Sequence, residues 1–366
     1  MPTLDGPLQL SNVFKPKIWG RRDLAPVFSA PQGESARGAW GDDSSRLLET
    51  RGDLIGEVWI TDDISRFLNG PVAGLTLAEG SQRYGKQLHG RGWKGERFPI
   101  LAKYIFTSDW LSVQVHPDDD YARVHDPGNV GKCEMWYIIH SDPGAEILLG
   151  SKPGITKERL KEAFEKGTSR ELLNRFHPKA GEAIFVPPGT VHALGPGLVL
   201  FEVEENSDLT YRLDDFGRLG LEGEPRPLHL AKGMDVIRLD LAAQRDLPRL
   251  DFREPYGTRR HVLACRFFAL EELSLWKVAC FESSPERVEV LSILGGDGRL
   301  ENRSGWLAYR MGETWLIPPA TGAYRLVPQE KTRLLKFYVP NLDEDFRRPL
   351  ARRHVRPAHV NRIVFD

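Results

Sequence analysis

The sequence has few cysteines, no long uncharged apolar run and almost no net charge. Its 366 residues contain only Cys133, Cys265 and Cys280. Three scattered cysteines cannot form a disulfide framework, so we expect a reducing, cytoplasmic location. No stretch of about 18 residues is free of charged side chains, which argues against a transmembrane helix. The opening residues, MPTLDGPLQL, lack the basic start and apolar centre of a signal peptide.

The charge balance gives no reason to expect a nucleic acid or a membrane surface as partner, since 50 Lys and Arg face 51 Asp and Glu. Arginines concentrate after Asp345, but Pro349 and Pro357 interrupt this tail and no aromatic stacking pattern accompanies it. We expect the tail to be a packed or solvated extension. The chain is long enough for two or three domains.

Most of the sequence consists of short apolar segments separated by Gly and Pro, a pattern typical of all-β sandwiches and barrels. Lys103, the one charge in the apolar segment 98–106, is expected to extend to an edge of the sheet rather than face a polar cavity. The clearest helical pattern spans 156–176 and predicts two short helices broken near Gly167, with Thr156 as N-cap. Residues 29–53, rich in Gly, Ser and Asp, are predicted to form a loop.

A repeat organises the chain. The segment GEAIFVPPGTVH, residues 181–192, matches GETWLIPPATGA, residues 312–323, and an apolar strand follows each copy. His192 ends the first copy, whereas Ala323 ends the second. A motif with a purely architectural role would not need His in one copy and accept Ala in the other. We therefore predict an N-terminal domain, 1–245, with a functional site and a helical insertion at about 154–177, and a C-terminal domain, 246–366, without a site.

The stretch 112–134 carries the densest set of candidate functional side chains. On a predicted strand, Ser112, Gln114 and His116 share one face because successive side chains alternate. Lys132 and Glu134 share a face at the start of the next strand. The acidic run 118–120 between them is predicted to be a solvated turn rather than a second metal site.

These motifs resemble a known family. The first copy of the repeat matches the second cupin signature, Gly-x5-Pro-x-Gly-x2-His, at each position up to His192. Together with SVQVHPDDDYA, GKCEMWYII and SDLTYRLDDFGR, it makes the chain similar to type I mannose-6-phosphate isomerases of the shorter bacterial kind. The resemblance covers most of the chain, except residues 29–53, 89–97 and the tail after Asp345.

The resemblance implies a mainly β fold of two cupin-type jelly-roll barrels with a small helical segment, the second barrel being metal-free. It implies a zinc site formed by Gln114, His116, Glu134 and His192. Ser112 and Lys132 match positions thought to meet the substrate phosphate, and Arg212 matches the catalytic arginine. The expected partner is a small phosphosugar, and the expected assembly is a monomer or a homodimer.

The residue types suit that chemistry. Two imidazoles, a carboxylate and an amide oxygen can hold zinc, although the spacing alone leaves iron, manganese and cobalt open. Of the four ligands Gln114 is the weakest, because a neutral amide can instead bond to a metal-bound water. Aldose–ketose isomerisation moves a proton between C2 and C1 through an enediol-like intermediate, whose negative charge a metal and Arg212 would stabilise. Glu204, Asp215 and a metal-bound water remain candidates for the base.

Two other functions remain open from the sequence. A metal-dependent cupin oxygenase would need iron and O2 and no phosphate pocket, and Ser112 and Lys132 beside the metal strands argue against it. A non-catalytic sugar-binding cupin would keep the fold with an inactive metal site and a structural Arg212.

Overall fold

The structure is a computed structural model that describes residues 2–28, 54–95, 97–241 and 244–366. The loop predicted at 29–53 lies outside these described residues. The strands of the first half are β1 Leu8–Leu10, β2 Val13–Arg21, β3 Ile55–Trp59, β4 Ile100–Phe106, β5 Val113–Val115, β6 Glu134–Ser141, β7 Ile147–Ser151, β8 Leu173–Phe176, β9 Ala183–Val186, β10 His192–Leu194, β11 Leu198–Glu205 and β12 Tyr211–Asp214. The strands of the second half are β13 Leu250–Glu254, β14 Gly257–Ala264, β15 Ala269–Leu275, β16 Ala279–Glu282, β17 Glu289–Gly295, β18 Gly298–Asn302, β19 Gly305–Tyr309, β20 Thr314–Ile317, β21 Ala323–Pro328 and β22 Thr332–Tyr338.

Helices are few and short. They are α1 Leu77–Tyr84, α2 Lys86–His89, α3 Asp119–His125, α4 Lys157–Glu165, α5 Leu230–Val236, α6 Arg348–Arg352 and α7 Pro357–Val360, with a π-helical turn at Asp343–Arg347. Thr156 caps α4 as predicted, because its side chain accepts a hydrogen bond from the backbone N–H of Arg159. No helix in the described part of the chain is both long and apolar enough to span a bilayer.

Two local predictions are wrong. The second helix expected before residue 176 is a single 3-10 turn, Ser169–Glu171, followed by β8, which pairs with β7. Sheet pairing and the burial of Leu173 override helical spacing there. The acidic run is the start of α3 rather than a turn, because Asp118 accepts a hydrogen bond from the N–H of Tyr121 and two more carboxylates lie in the first helical turn.

The first barrel consists of a six-stranded sheet, β2-β3-β4-β11-β6-β9, and a five-stranded sheet, β12-β5-β10-β7-β8. All the strand pairs are antiparallel. In the second sheet His192 on β10 lies directly opposite Gln114 on β5, and Arg212 on β12 lies opposite the same Gln114. The sheet pairing therefore brings together three side chains that are far apart in the sequence.

The second barrel repeats this plan. Its sheets are β1-β20-β17-β22-β15-β14-β13 and β16-β21-β18-β19. The predicted mainly β class is confirmed. Strand β1 pairs with β20, so residues 8–10 add a strand to a sheet built otherwise from the C-terminal half. The domain division at 245 remains a prediction, and β1 crosses it.

Apolar side chains from both barrels form one shared core. Phe201 of the first barrel packs against Phe337 of the second, with ring centroids 5.6 Å apart. The hydroxyl of Tyr104 is 2.6 Å from that of Ser292, also across the interface. The continuous core fixes the barrels against one another.

Candidate active site

A cavity of about 220 Å³ lies between the two sheets of the first barrel. Ser112, Gln114, Lys132 and Arg212 all line it, so four of the seven predicted site residues meet there. The other three, His116, Glu134 and His192, are 0–2% exposed and lie directly behind Gln114 and Lys132.

The three buried side chains converge on one point. The Nε2 atom of His192 is 3.2 Å from one Glu134 oxygen, and the Nε2 atom of His116 is 3.5 Å from the other. One ligand atom from each of the three residues lies within 4.8 Å of the others. Among the described residues, neither Glu134 oxygen accepts a hydrogen bond of good geometry, although the ammonium of Lys132 lies 2.9 Å from one of them. A buried carboxylate with so few hydrogen bonds is costly, which suits a site for a further cation.

The backbone sets the histidine tautomers. The Nδ1 atom of His116 lies 2.9 Å from the carbonyl of Leu209, and that of His192 lies 2.9 Å from the carbonyl of Thr190. A carbonyl only accepts, so each Nδ1 must donate, which leaves both Nε2 atoms unprotonated, with a lone pair that can bind a metal. Burial lowers the pKa of His192 to about 4, and burial together with Lys132 lowers the pKa of His116 far below its usual range. Both imidazoles are therefore neutral, as metal ligands must be.

Gln114 contacts the group without completing it. Its amide nitrogen lies 3.2 Å from Nε2 of His192, while its oxygen accepts a hydrogen bond from Ser112 at 3.3 Å. A metal ligand would need the oxygen on the histidine side, which requires the amide to turn over. The role of Gln114 as a ligand therefore stays a prediction.

A buried ion network surrounds the group. The ammonium of Lys132 lies 2.9 Å from Glu134 and 2.8 Å from Glu204, and that of Lys103 lies 2.9 Å from Glu204 and 3.1 Å from Glu202. Burial raises the pKa of Glu134 to about 8 despite the opposing effect of Lys132. At neutral pH its ionised form therefore depends on a positive charge in addition to that of Lys132.

Lys103 contradicts its sequence prediction. Its side chain is 2% exposed and lines the polar cavity instead of extending to an edge of the sheet. Two carboxylates on the neighbouring strand β11 offset the cost of burying its charge. The acidic residues that hold it alternate along β11, so Glu202 and Glu204 share a face. That alternation is the sequence signal that could have placed Lys103 in the cavity.

Arg212 is a half-buried cation with no ion pair within 4.0 Å among the described residues. Its Nη1 donates to the carbonyl of Pro227 at 3.1 Å, and its Nε is buried with no hydrogen-bond partner in the described part of the chain. Burial and the nearby charge of Arg226 lower its pKa. Arg212 can therefore meet a negative charge in the cavity without first breaking an ion pair.

Asp215 does not suit the base. It accepts hydrogen bonds from Arg226 and from Arg218, the latter at 2.8 Å. Burial raises the pKa of Asp215, but these two guanidinium groups offset that effect and lower it overall. A carboxylate held in this way binds a proton poorly.

Sequence reasoning also missed cations at the cavity wall. Lys17 lies on β2 and pairs with Glu57 at 3.2 Å, and Arg226 lies on the loop after β12. The alternation of Lys15, Lys17 and Trp19 could have indicated one face of a strand. No comparable pattern marks Arg226.

The second barrel carries the same core positions with different chemistry. Glu289 lies opposite Ile317 as Glu134 lies opposite Val186, at matching places in the repeat. The charges around them are reversed between the barrels. The first barrel has Glu57 on β3, Lys103 on β4 and Glu202 on β11. At the corresponding positions the second barrel has Arg259 on β14, Glu271 on β15 and Lys336 on β22.

No metal group forms in the described part of the second barrel, since both clusters of three potential ligands lie in the first. Glu289 instead pairs with Lys336 at 2.9 Å. The rings of Tyr256 and Tyr324 each pack on Phe281, with centroids 5.5 Å apart in both cases. The second cluster of the first barrel, Glu134 with Glu202 and Glu204, already holds two ammonium groups.

Comparison with known proteins agrees with this geometry. Residues 8–132 match the family model described as phosphomannose isomerase type I, catalytic domain. The chain is 34% identical over 325 residues to mannose-6-phosphate isomerase ManA of Bacillus subtilis, covering 87% of this chain and 95% of that protein.

Solved structures show the same likeness. The crystal structure of the Bacillus subtilis mannose 6-phosphate isomerase superposes with a TM-score of 0.78 at 28% identity, covering 91% of this chain and 99% of that one. A zinc-bound mannose 6-phosphate isomerase has a TM-score of 0.69 at 15% identity, over 91% of this chain and 99% of that one, a likeness of fold alone. By its sequence identity over nearly the whole length of a curated relative, the chain belongs to the mannose-6-phosphate isomerase family.

Proposed function

We propose that the protein interconverts mannose 6-phosphate and fructose 6-phosphate as an aldose–ketose isomerase. The observation that carries the proposal is the convergence of two neutral Nε2 atoms and a buried carboxylate behind a cavity lined by cations. The family membership supports the same reaction.

We further propose that His116, Glu134 and His192 hold a zinc ion, with the amide oxygen of Gln114 as fourth ligand. Two imidazoles and a carboxylate are a donor set that zinc accepts in catalytic sites. A bound zinc ion would act as a Lewis acid toward the oxygens of the sugar.

The chain's own residues would orient the sugar and balance its charge. Arg212, which has no ion pair, is proposed as the catalytic cation beside the negative oxygen of the enediol-like intermediate. Ser112 and Lys132 are proposed as substrate-binding residues because both line the cavity with Arg212. Lys132 can donate to a substrate oxygen while its charge stays balanced by Glu134 and Glu204.

The setting follows from the same proposal. The partner is a small phosphosugar. The cysteines form no disulfide, and Cys133 and Cys265 are both buried as free thiols, which supports a cytoplasmic location. We infer a monomer or a homodimer.

The test is direct conversion of mannose 6-phosphate, followed by NMR of the sugar. Purified protein is stripped with a chelator, then reloaded with zinc or, separately, with iron, manganese or cobalt. We expect no product from the stripped form and fructose 6-phosphate from the zinc form. Absence of product from every metal-loaded form would overturn the proposal and favour a non-catalytic sugar-binding cupin.

A further inference from the structure

The cavity must accommodate a phosphate dianion, yet most of its cations are already balanced. Lys17 pairs with Glu57 at 3.2 Å. The ammonium groups of Lys103 and Lys132 each lie within 3.1 Å of two carboxylates. Their charges stabilise the buried acids, so a phosphate at these lysines would compete with those acids.

Arg226 differs from these lysines in how it is held. It lines the cavity, is 21% exposed, and binds Asp215 through Nε at 2.7 Å and through Nη2. This two-point contact fixes the guanidinium plane and occupies one edge of it. None of the described residues accepts a hydrogen bond from Nη1, so its donors remain for a ligand. A fixed guanidinium loses little further freedom on binding one.

The loop that carries Arg226 also carries the contacts of Arg212. The loop closes on itself through a bridge between Leu219 and Pro225 and a hydrogen bond from Gly220 N–H to Glu224 O at 2.8 Å. Arg212 donates to Pro227 of this loop at 3.1 Å. The loop therefore helps to bring both guanidinium groups to the same cavity.

Asp215 also binds a second arginine, Arg218, which does not line the cavity. Arg218 donates to Asp215 at 2.8 Å and to Asp109 at 3.0 Å. It is 18% exposed, close to the value for Arg226, but it is not among the residues that line the cavity. Arg218 and Arg226 therefore share a carboxylate and a degree of burial, and they differ in access to a ligand.

We propose that Arg226 binds the phosphate group of the substrate, with Asp215 as the residue that positions it. This inference rests on the proposed function, because it assumes a phosphosugar in the cavity. Arginine and phosphate form charge-assisted hydrogen bonds that are stronger than neutral ones. Arg226 would select phosphorylated sugars, while Arg212 would act at the negative oxygen of the enediol-like intermediate.

The experiment compares Arg226→Gln with Arg218→Gln, which removes an equal charge from the same carboxylate outside the cavity. KM and kcat are measured with mannose 6-phosphate on the zinc-loaded protein, and the affinity for inorganic phosphate is measured by titration calorimetry. We expect R226Q to raise KM and weaken phosphate binding by about 10- to 100-fold, with kcat changed much less. R218Q should change both quantities by less than about 3-fold.

Two further variants test how Arg226 is positioned. Arg226→Lys keeps the charge but not the two-point contact, so it should recover part of the lost phosphate affinity. Asp215→Asn should raise KM more than it lowers kcat. Equal KM values and phosphate affinities for R226Q and R218Q, with both variants folded, would overturn the proposal. Phosphate binding needs no turnover, so failure of the isomerase assay would be seen separately.

Discussion

At the scale of single residues, two backbone carbonyls decide the chemistry of the candidate site. Leu209 and Thr190 each accept the Nδ1 hydrogen of a buried histidine, which leaves both Nε2 atoms directed at Glu134. The sequence predicts which side chains converge, since a signature ends at His192 and period 2 aligns His116 with Gln114. It cannot predict the tautomers, because the two carbonyls come from a loop and a turn with no pattern of their own.

Replacing His192 by Ala should abolish metal binding and turnover while the fold persists. One of three converging donors is lost, and the matching position of the second barrel is already Ala323. We expect bound zinc to fall well below one per chain and turnover to fall at least about 100-fold. Metal analysis, the isomerase assay and circular dichroism check this. The control is His140→Ala, an exposed residue, and global unfolding of H192A would instead mark His192 as structural.

Replacing Lys132 by Met should destabilise the metal-free protein by about 3–5 kcal/mol, because Glu134 and Glu204 lose a shared buried cation. Adding Glu204→Gln to this variant should recover part of that loss. Urea denaturation in the presence of a chelator measures both values. If K132M lowers the free energy of unfolding by less than about 1 kcal/mol, or if the double variant is less stable than K132M, the ion network contributes little to folding.

At the scale of elements, period-2 alternation explains both the successes and the failures of the sequence analysis. It places Ser112 and Gln114 at one cavity. It also applies to Glu202 and Glu204 on β11, but their effect on Lys103 depends on β4 pairing with β11, a contact about 100 residues apart in sequence. The apolar spacing of residues 173–176 predicts a helix, but these residues form β8, because pairing with β7 buries Leu173. Long-range pairing thus decided the elements that sequence patterns left ambiguous.

Helix α2 predicts a pH dependence of stability. His89, its last residue, is 3% exposed, has no hydrogen-bond partner at either ring nitrogen among the residues that the structure describes, and stacks on Trp93 with ring centroids 4.5 Å apart. Burial lowers its pKa to about 4. The unfolded chain, with the usual value of about 6.5, binds more protons between those pH values. The contribution of neutral His89 to the free energy of unfolding should therefore be fully present above pH 6.5. It should be lost as the pH falls from 6.5 toward 4.

The contribution of His89 to this fall should be about 2–3 kcal/mol. His89→Phe keeps a ring against Trp93 and removes the titration, so its free energy of unfolding should depend less on pH over this range. Chemical denaturation at a series of pH values measures the slope. The exposed His359→Gln serves as control. If H89F and H359Q show the same slope as the wild type, His89 does not carry the effect.

At the scale of the whole molecule, the two barrels share one core, and the start of the chain adds a strand to the second barrel. The first residues of the chain form β1 and complete the sheet of the second barrel. The repeat predicts two barrels but not this crossing, because β1 is only three residues long and has no counterpart in the repeat. The loop with Arg226 was likewise not predictable, since it depends on the fold of the chain after β12. We expect a molecule joined in this way to unfold as one unit.

Leu10→Ala tests that expectation. Leu10 is 2% exposed, pairs with Thr314 of the second barrel and bridges to Phe67 of the first half. The substitution should lower the free energy of unfolding by about 2–4 kcal/mol, because it leaves a buried cavity. Urea unfolding followed by fluorescence and by circular dichroism should show one coincident transition, shifted as a whole. Two transitions of which only one moves would contradict a shared core, and the exposed Leu219→Ala is the control.

The central claim is that His116, Glu134 and His192 together hold one zinc ion. The most direct measurement is an anomalous difference map from crystals of the zinc-loaded protein, recorded on both sides of the zinc absorption edge. The account predicts a single strong peak in the first barrel, about 2.0–2.2 Å from Nε2 of both histidines and from a Glu134 oxygen. A zinc peak elsewhere, or none at these three residues, would contradict it.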